Sequence, residues 1–433
     1  MKNQINIGLL GCGTVGGGVI LVLKENQDII TERVGCPIRI KNVLARHPEK
    51  VSALDPSLST VDNIDAIIND PDIDIVVELM GREHPALEYM EAALKAGKNV
   101  VTANKDVVAE HGKELFELAA DKHVDFLFEA AVAGGIPIIR PLKESLASNR
   151  ISLIMGIVNG TTNYMLTKMS AEHMDFAEVL KEAQEKGYAE SDPTADIGGF
   201  DAARKIAILS SIAFNSRIGL KDVSIEGIEK ISLRDIEYAE ELGYVLKLLG
   251  IAKQYSDKKI SVGVHPTMLP KDHPLASIND VFNAVYIEGK PIGEAMFFGR
   301  GAGRFPTASA ACGDIIEISR NIRQGCTGRV GCTCYEVAHL ADEKEVTSPY
   351  YVRLLAEDVP GVLAKIAGAF GNHGVSLKTV VQKRSIGTMA EIVVITRSVS
   401  EYDMKLAADE LDKESCVSRI SNIIRVEDST LTD

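Results

Sequence analysis

Residues 5–16 read Ile-Asn-Ile-Gly-Leu-Leu-Gly-Cys-Gly-Thr-Val-Gly, an apolar run that ends in Gly-x-Gly-x-x-Gly. A helical pattern follows over Val15–Asn26. Few folds accommodate a strand that closes in this glycine spacing and opens directly into a helix. Gly11 permits the tight turn, Gly13 lets the main chain approach a pyrophosphate, and Gly16 lets the helix pack close to the strand. The helix start, with the N–H groups of Thr14 and Val15, offers a partial positive charge to phosphate oxygens. The segment therefore predicts a dinucleotide site on Gly11, Gly13, Thr14, Val15 and Gly16.

The alternation continues over the first 130 or so residues. Ile38–Ala45, Ile73–Glu78, Asn99–Thr102 and Val124–Glu129 read as strands, and His84–Ala96 and Asp106–Asp121 as helices. Such alternation predicts an α/β, Rossmann-type parallel sheet with helices on both faces. Sites for NAD place an acid at the end of the second strand. Here Val43-Leu44-Ala45 runs into Arg46-His47. A cation there suits a 2′-phosphate, so Arg46 favours NADP over NAD.

The middle of the chain, from about Gly134 to Gly299, mixes strand-like runs (Ile151–Val158, Lys259–Val264, Ala284–Glu288) with amphipathic helices (Asp175–Gly187, Asp201–Asn215, Arg234–Gly250). This predicts an α+β substrate and dimerisation domain. His265-Pro266 and His273-Pro274 resemble metal ligands, but each His precedes a proline, and both pairs read as loops. Helical patterning returns over Ala308–Arg323. A third unit begins near Ser348-Pro349. Its pattern is strand (Tyr350–Ala356), helix (Asp358 to about Gly374), strands (Val375–Gln382, Met389–Thr396), helix (Glu401–Lys413) and strand (Cys416–Val426). The order βαββαβ is ferredoxin-like.

Composition narrows the function classes. The 433 residues carry 47 Lys+Arg against 61 Asp+Glu, a net charge of −14. That balance, without basic clusters, argues against nucleic acid and anionic membrane surfaces. The apolar run at residues 5–10 is too short for a signal-peptide core, and no uncharged run of about 18 residues suggests a membrane span. Seven cysteines, an odd number in a long chain, read as reduced thiols of a cytoplasmic protein. Cys326, Cys332 and Cys334 match no zinc spacing and read as ordinary thiols.

Several polar residues stand where chemistry could occur. Lys105 follows a strand's carboxyl end, the ligand-binding edge of open α/β sheets. Glu190, Asp201 and Lys205 lie close in sequence, and Asp201 and Lys205 share a helix face. They form either a pocket for a small zwitterion or a plain helix salt bridge. Glu129–Gly135 offers a carboxylate and main-chain carbonyls to a cation, or else a close-packed crossing of small residues.

Taken together, these segments resemble homoserine dehydrogenase of the long bacterial type with a C-terminal ACT domain. The matching stretches are Gly11–Gly16, Thr102–Lys105, Glu129–Pro137, Val158–Tyr164, Gly187–Lys205, Pro266–His273 and Gly301–Ala310, with Asp358–Gly374 as the start of the ACT unit. The resemblance implies a dinucleotide domain over 1–130, completed by about 302–340, a substrate and dimerisation domain over 131–301, and a regulatory domain over 349–433. It implies interconversion of L-aspartate 4-semialdehyde and L-homoserine in threonine, methionine and isoleucine biosynthesis. Lys205 and Lys105 match the catalytic lysines, with Lys205 the proton donor. Glu190 and Asp201, with Lys105, match the substrate-binding set. Arg46, Thr102, Lys105, Gly301 and Gly303 join the glycine loop around the cofactor. Glu129, Val132, Gly134 and Ile136 match a monovalent cation site, usually sodium. A homodimer or homotetramer, and L-threonine as the ACT effector, follow from the same likeness. A 2-hydroxy-acid dehydrogenase would need an Arg/His/acid set that cannot be placed at the sheet edge. A nucleotide-sensing protein would have no use for the two lysines and two carboxylates.

Overall fold

In a computed structural model the described residues are 2–427. They divide into two compact units. The first comprises residues up to Ile154, Arg204–Val223 and Phe282–Val337; the second comprises Met155–Ala203, Ser224–Val281 and the residues from Ala338 onward.

The first unit is built on a parallel sheet of β1 (Ile5–Leu10), β2 (Ile38–Leu44), β3 (Ser59–Val61), β4 (Ile75–Glu78), β5 (Asn99–Thr102) and β6 (Phe126–Leu127), in the order β3-β2-β1-β4-β5-β6. Leu10 of β1 aligns with Leu44 on one side and Glu78 on the other. The chain direction across the sheet reverses between β1 and β4, which is where open α/β sheets bind ligands. β4 and β5 are buried along their whole length, which explains why Ile75–Val77 and Val100–Val101 are apolar without alternation. Ile5, Ile7 and Leu9 pack with Val19, Ile20 and Leu23 of the helix Thr14–Glu25, and with Ala308, Ala311, Ile315 and Ile318 of the helix Arg304–Gln324. Each such aliphatic side chain contributes roughly 1.5–3 kcal/mol by leaving water. The late helix is thus part of the first core.

The expected strand Val124–Glu129 is shorter than its pattern. Only Phe126–Leu127 pairs, and Glu129–Ala131 forms a 3₁₀ turn. The Glu129 N–H is drawn instead to the Asp314 carboxylate at 2.8 Å.

In the second unit, Tyr244–Gln254 pairs antiparallel with Ile260–Pro270. The latter pairs parallel with Val417–Val426 through Thr267 and Met268. Beyond it the order is Val417–Val426, Tyr350–Glu357, Met389–Thr396, Leu377–Ile386, all antiparallel. With the helices Val362–Asn372 and Glu401–Leu411 packed over Val352, Leu354, Ile392 and Val394, this is the expected ferredoxin-like unit.

Two expectations fail here. The helix expected over Arg234–Gly250 ends at Glu241, and Tyr244–Gln254 is a strand. Gly243 adopts φ +87° and stops the helix. The run after it is apolar at successive positions, so helical and strand periods fit it equally well. His265-Pro266 is not a loop but lies within the strand Ile260–Pro270, with Pro266 opposite Leu248. Burial pushes the His265 imidazole well below its usual range, which keeps it neutral. Among the described residues no helix is long and apolar enough to cross a membrane.

Candidate active site

The glycine loop stands at the carboxyl end of β1. Gly11 has φ +96°, and a Cβ there would lie 2.9 Å from the Leu79 carbonyl oxygen. A Cβ on Gly16 would lie 2.1 Å from the Gly11 carbonyl oxygen, so the helix start packs directly on the turn. At Gly13 a Cβ would meet nothing within 4 Å, which leaves that main chain open to a ligand. Thr14 and Val15 form the first turn of Thr14–Glu25, with no acid in that turn. Gly303 precedes a second helix, Arg304–Gln324, whose first turn also lacks an acid. Burial raises the Cys12 thiol, against the opposing charges of Arg304 and Lys50 nearby. Open main chain, unopposed helix starts and two cations fit a pyrophosphate. A Cβ on Gly301 would fall 2.1 Å from the Asn283 carboxamide, so glycine at this position keeps the loop tight against that side chain. Arg46 is exposed two residues beyond β2, the strand beside β1.

Lys105 is the first residue of the helix Lys105–Lys122 and is half-buried. A buried polar chain fixes that helix start. The Thr102 hydroxyl donates to Glu78 Oε2 at 2.6 Å, and the Met80 N–H donates to Oε1 at 2.7 Å. The Asn104 N–H donates to the Thr102 hydroxyl oxygen at 3.0 Å. Asn104 then accepts from the Val107 N–H at 3.3 Å and donates to the Arg82 carbonyl at 2.6 Å. Burial raises the Glu78 carboxyl above its usual range, opposed by these hydrogen bonds. Glu78 escaped the sequence reading as a functional residue; the available signal was an acid closing an otherwise apolar strand. Arg204 Nε meets Asp106 Oδ1 at 2.8 Å and ties this helix to Phe200–Ala213, which also carries half-buried Lys205.

In the second unit, Asn159 precedes the helix Gly160–Glu172 and caps it by accepting from the Thr162 N–H at 2.9 Å. Its amide donates to Asp196 Oδ1 at 2.7 Å and Asp201 Oδ2 at 2.9 Å. Asp201 is thereby held, although buried. The Thr161 hydroxyl donates to the Tyr188 carbonyl at 2.6 Å, and the Tyr164 and Tyr188 rings meet edge to face at 4.9 Å. These contacts hold the loop that carries exposed Glu190. The helix Phe200–Ala213 places Asp201 and Lys205 four residues apart.

The Glu129 carboxylate accepts three main-chain N–H bonds, from Ile138 (2.6 Å), Ile139 (2.7 Å) and Arg140 (2.8 Å). It therefore caps the turn that follows. Val132, Gly134 and Ile136 are buried, and Ala133 and Gly134 both have φ +55°. Among the described residues no main-chain N–H bonds the carbonyl oxygens of Val132, Gly134 or Ile136. Carbonyl oxygens without such partners, on three buried residues, fit a hard cation. Among the described residues no group of three His, Cys, Asp or Glu side chains could hold a metal ion.

Three family profiles match the chain: the homoserine dehydrogenase NAD-binding domain over residues 11–129, homoserine dehydrogenase over 137–316, and the ACT domain over 350–416. The chain is 45% identical over 430 residues to homoserine dehydrogenase of Synechocystis, covering 98% of this chain and 99% of the relative. It is 42% identical to that of Bacillus subtilis, covering 98% of each. The structure is similar to a crystal structure of a homoserine dehydrogenase from Thiobacillus denitrificans, with TM-score 0.91, 41% identity and 98% of each chain covered. It is also similar to a hyperthermophilic archaeal homoserine dehydrogenase mutant in complex with NADPH (TM-score 0.62, 28% identity, 73% of this chain and 98% of that one).

Proposed function

The chain belongs to the homoserine dehydrogenase family, and from that premise we propose that it interconverts L-aspartate 4-semialdehyde and L-homoserine with NADP as the preferred cofactor. The observation that carries this reading is the open Gly13 main chain at the sheet's switch point, with the helix start bearing Lys105 at the same carboxyl edge of the sheet. The nicotinamide supplies the hydride when bound. The protein's own residues bind, orient and move the proton. Lys205 gives its proton to the carbonyl oxygen as the alkoxide develops, and Lys105 adds positive charge beside that oxygen. Glu190 and Asp201 hold the substrate's ammonium group, with Asp201 aimed by Asn159. Thr102 acts through its hydrogen bond to Glu78, while Gly301 and Gly303 shape the second cofactor-facing segment. Arg46 supports NADP because a guanidinium suits a 2′-phosphate.

The carbonyl oxygens of Val132, Gly134 and Ile136 would hold a monovalent cation, sodium by family habit, with Glu129 fixing the segment through its bonds to the Ile138, Ile139 and Arg140 N–H groups. The ferredoxin-like C-terminal unit supports feedback inhibition by L-threonine. ACT pairing supports a homodimer or homotetramer. The test is reduced-cofactor absorbance with L-homoserine and NADP, then NAD, with and without threonine. Turnover that is faster with NADP and suppressed by threonine is expected. A folded protein that binds either cofactor but turns over neither would overturn the proposal.

A further inference from the structure

The helices that begin at Lys105 and run through Lys205 enclose, within the first unit, a second cluster of chemically active side chains. They wall a small, partly open cleft of about 20 Å³, lined on its apolar side by Val108, Phe116, Phe128, Ile208 and Ile212. Its polar lining includes Lys143, Arg217, Cys332 and Cys334. None of them has a part in the proposed reaction.

Their arrangement is specific. Arg217 Nη2 donates to Cys332 Sγ at 3.2 Å. The Cys334 N–H points to the same sulfur at 3.5 Å. The Lys143 ammonium donates to the Gly331 carbonyl at 2.9 Å, next to Cys332 in the chain, and lies 4.7 Å from the centre of the Phe116 ring. Cys334 Sγ is 3.7 Å from the Ser211 carbonyl oxygen on the Lys205 helix. The hydrogen bond from Cys334, with the charges of Arg217 and Lys143, holds the Cys332 thiol below its usual range. Burial holds Lys143 below its own usual range. Neither sulfur is in a disulfide, and both are partly exposed.

Two cations facing the sulfurs repel a metal ion, so a thiolate metal site does not fit. A partly exposed thiolate in an electropositive setting, with a second thiol two residues along the chain, is the arrangement that oxidants attack. We propose that Cys332 and Cys334 form a peroxide-reactive dithiol, with Cys332 the attacking sulfur and Cys334 the resolving one.

The chemistry closes with a hydroperoxide as co-reactant. Cys332 S⁻ attacks one peroxide oxygen; an S–O bond forms, the O–O bond breaks, and hydroxide leaves. The sulfur loses two electrons and the peroxide gains them, leaving Cys332–SOH. Cys334 then attacks that sulfur; the S–S bond forms, the S–O bond breaks, and the departing hydroxide takes the Cys334 proton as water. Two thiols and one hydrogen peroxide give one disulfide and two waters.

The test uses the full chain and hydrogen peroxide, read by peptide mass. The peptide holding Cys332 and Cys334 should lose two hydrogens before any oxidation appears at Cys12 or Cys326. Before peroxide is added, iodoacetamide at neutral pH should alkylate Cys332 roughly tenfold faster than Cys326. Cys334→Ser should stop the sequence at a dimedone-reactive sulfenic acid on Cys332, and Cys332→Ser should remove both products. Alkylation of Cys332 no faster than Cys326, or peroxide oxidation that begins elsewhere, overturns the proposal. The labelling comparison needs no variant, so it decides the matter even if a substitution fails to fold. It is also read without turnover, so it stands apart from the assigned reaction.

Discussion

The hydroxyl of Thr102 donates a 2.6 Å hydrogen bond to the carboxylate of Glu78, and neither side chain has any exposed surface. The two residues face each other across β4 and β5 at the carboxyl edge of the sheet. Glu78→Ala would leave the Thr102 hydroxyl and the Met80 N–H buried without that acceptor. Each orphaned group costs about 1–3 kcal/mol, so a loss of roughly 2–4 kcal/mol is expected in urea unfolding. Thr102→Val should cost less, because it removes only one bond. Wild-type stability in the alanine variant would show that the carboxylate is not what sets the Lys105 helix start.

Lys205→Ala should reduce the maximal rate with homoserine by ~10²-fold or more, the loss expected for a missing general acid. Steady-state kinetics at saturating cofactor measures it. A near-normal rate would remove Lys205 from the proton path and leave Lys105 to be tested in its place.

Asn159 joins Asp196 and Asp201 through one amide group, at 2.7 and 2.9 Å. With Asn159→Ala, the carboxylate proposed to hold the substrate ammonium is free to turn. Misplacement of a positioning group by about 1 Å can cost 10²-fold, so kcat/KM for homoserine should fall roughly 10- to 100-fold while cofactor KM stays put. Asn159→Asp should be no better, since three carboxylates would then share the site. Full activity in the aspartate variant would contradict the role of a neutral donor.

The local devices could be read from the residues alone, while the long-range ones could not. Gly11–Gly16 specified its turn because each glycine answers a steric demand within a few residues. Asn159 stood in a segment singled out by its likeness to the family, but its hold on Asp201 spans 42 residues and has no periodic trace. The same is true of Asp314, which meets Glu129 and Arg140 from 185 and 174 residues away. Tyr244–Gln254 carries no strand signature because a strand buried on both faces loses its alternation. His265-Pro266 looks like a loop because proline at a strand position sends the same signal as a turn.

Arg353 stands at the centre of a buried ionic cluster. Its Nε meets Asp235 Oδ1 at 2.8 Å and its Nη1 meets Glu391 Oε1 at 3.2 Å. Tyr238 donates to Glu391 at 2.9 Å, and Asn422 to Asp235 at 3.1 Å. Arg353→Met would leave two buried carboxylates without their cation, a loss of about 3–5 kcal/mol. Asp235 lies on the helix Leu233–Glu241, which packs on the helix that Asn159 caps. The cluster thus reaches, through this helix, the helix whose start Asn159 caps. Arg353→Lys, which keeps the charge but not the forked geometry, should weaken threonine inhibition about tenfold with the uninhibited rate little changed. An unaltered threonine titration would rule out this route.

Asp314 gives stability an unusual pH dependence. It is almost fully buried and accepts from the Glu129 N–H at 2.8 Å and from Arg140 Nη2 at 2.7 Å. Burial first, then the negative charge of Glu129, raises its carboxyl to about 7, with Arg140 opposing. In the unfolded chain an aspartate titrates near 3.9. Between those values the folded protein binds a proton that the unfolded chain has released, so stability falls as pH rises. This contribution is fully present below about pH 4 and is lost as pH rises through about 7, an amount of roughly 4 kcal/mol at most. Most carboxylates in ion pairs act in the opposite direction. Asp314→Asn removes the titration while keeping a hydrogen-bond acceptor. The stability difference, wild type minus variant, should therefore decline steadily from pH 4.5 to pH 7.5 in urea unfolding. A difference that stays constant over that window would show that Asp314 keeps its charge when buried, with Arg140 fully offsetting the cost of burial.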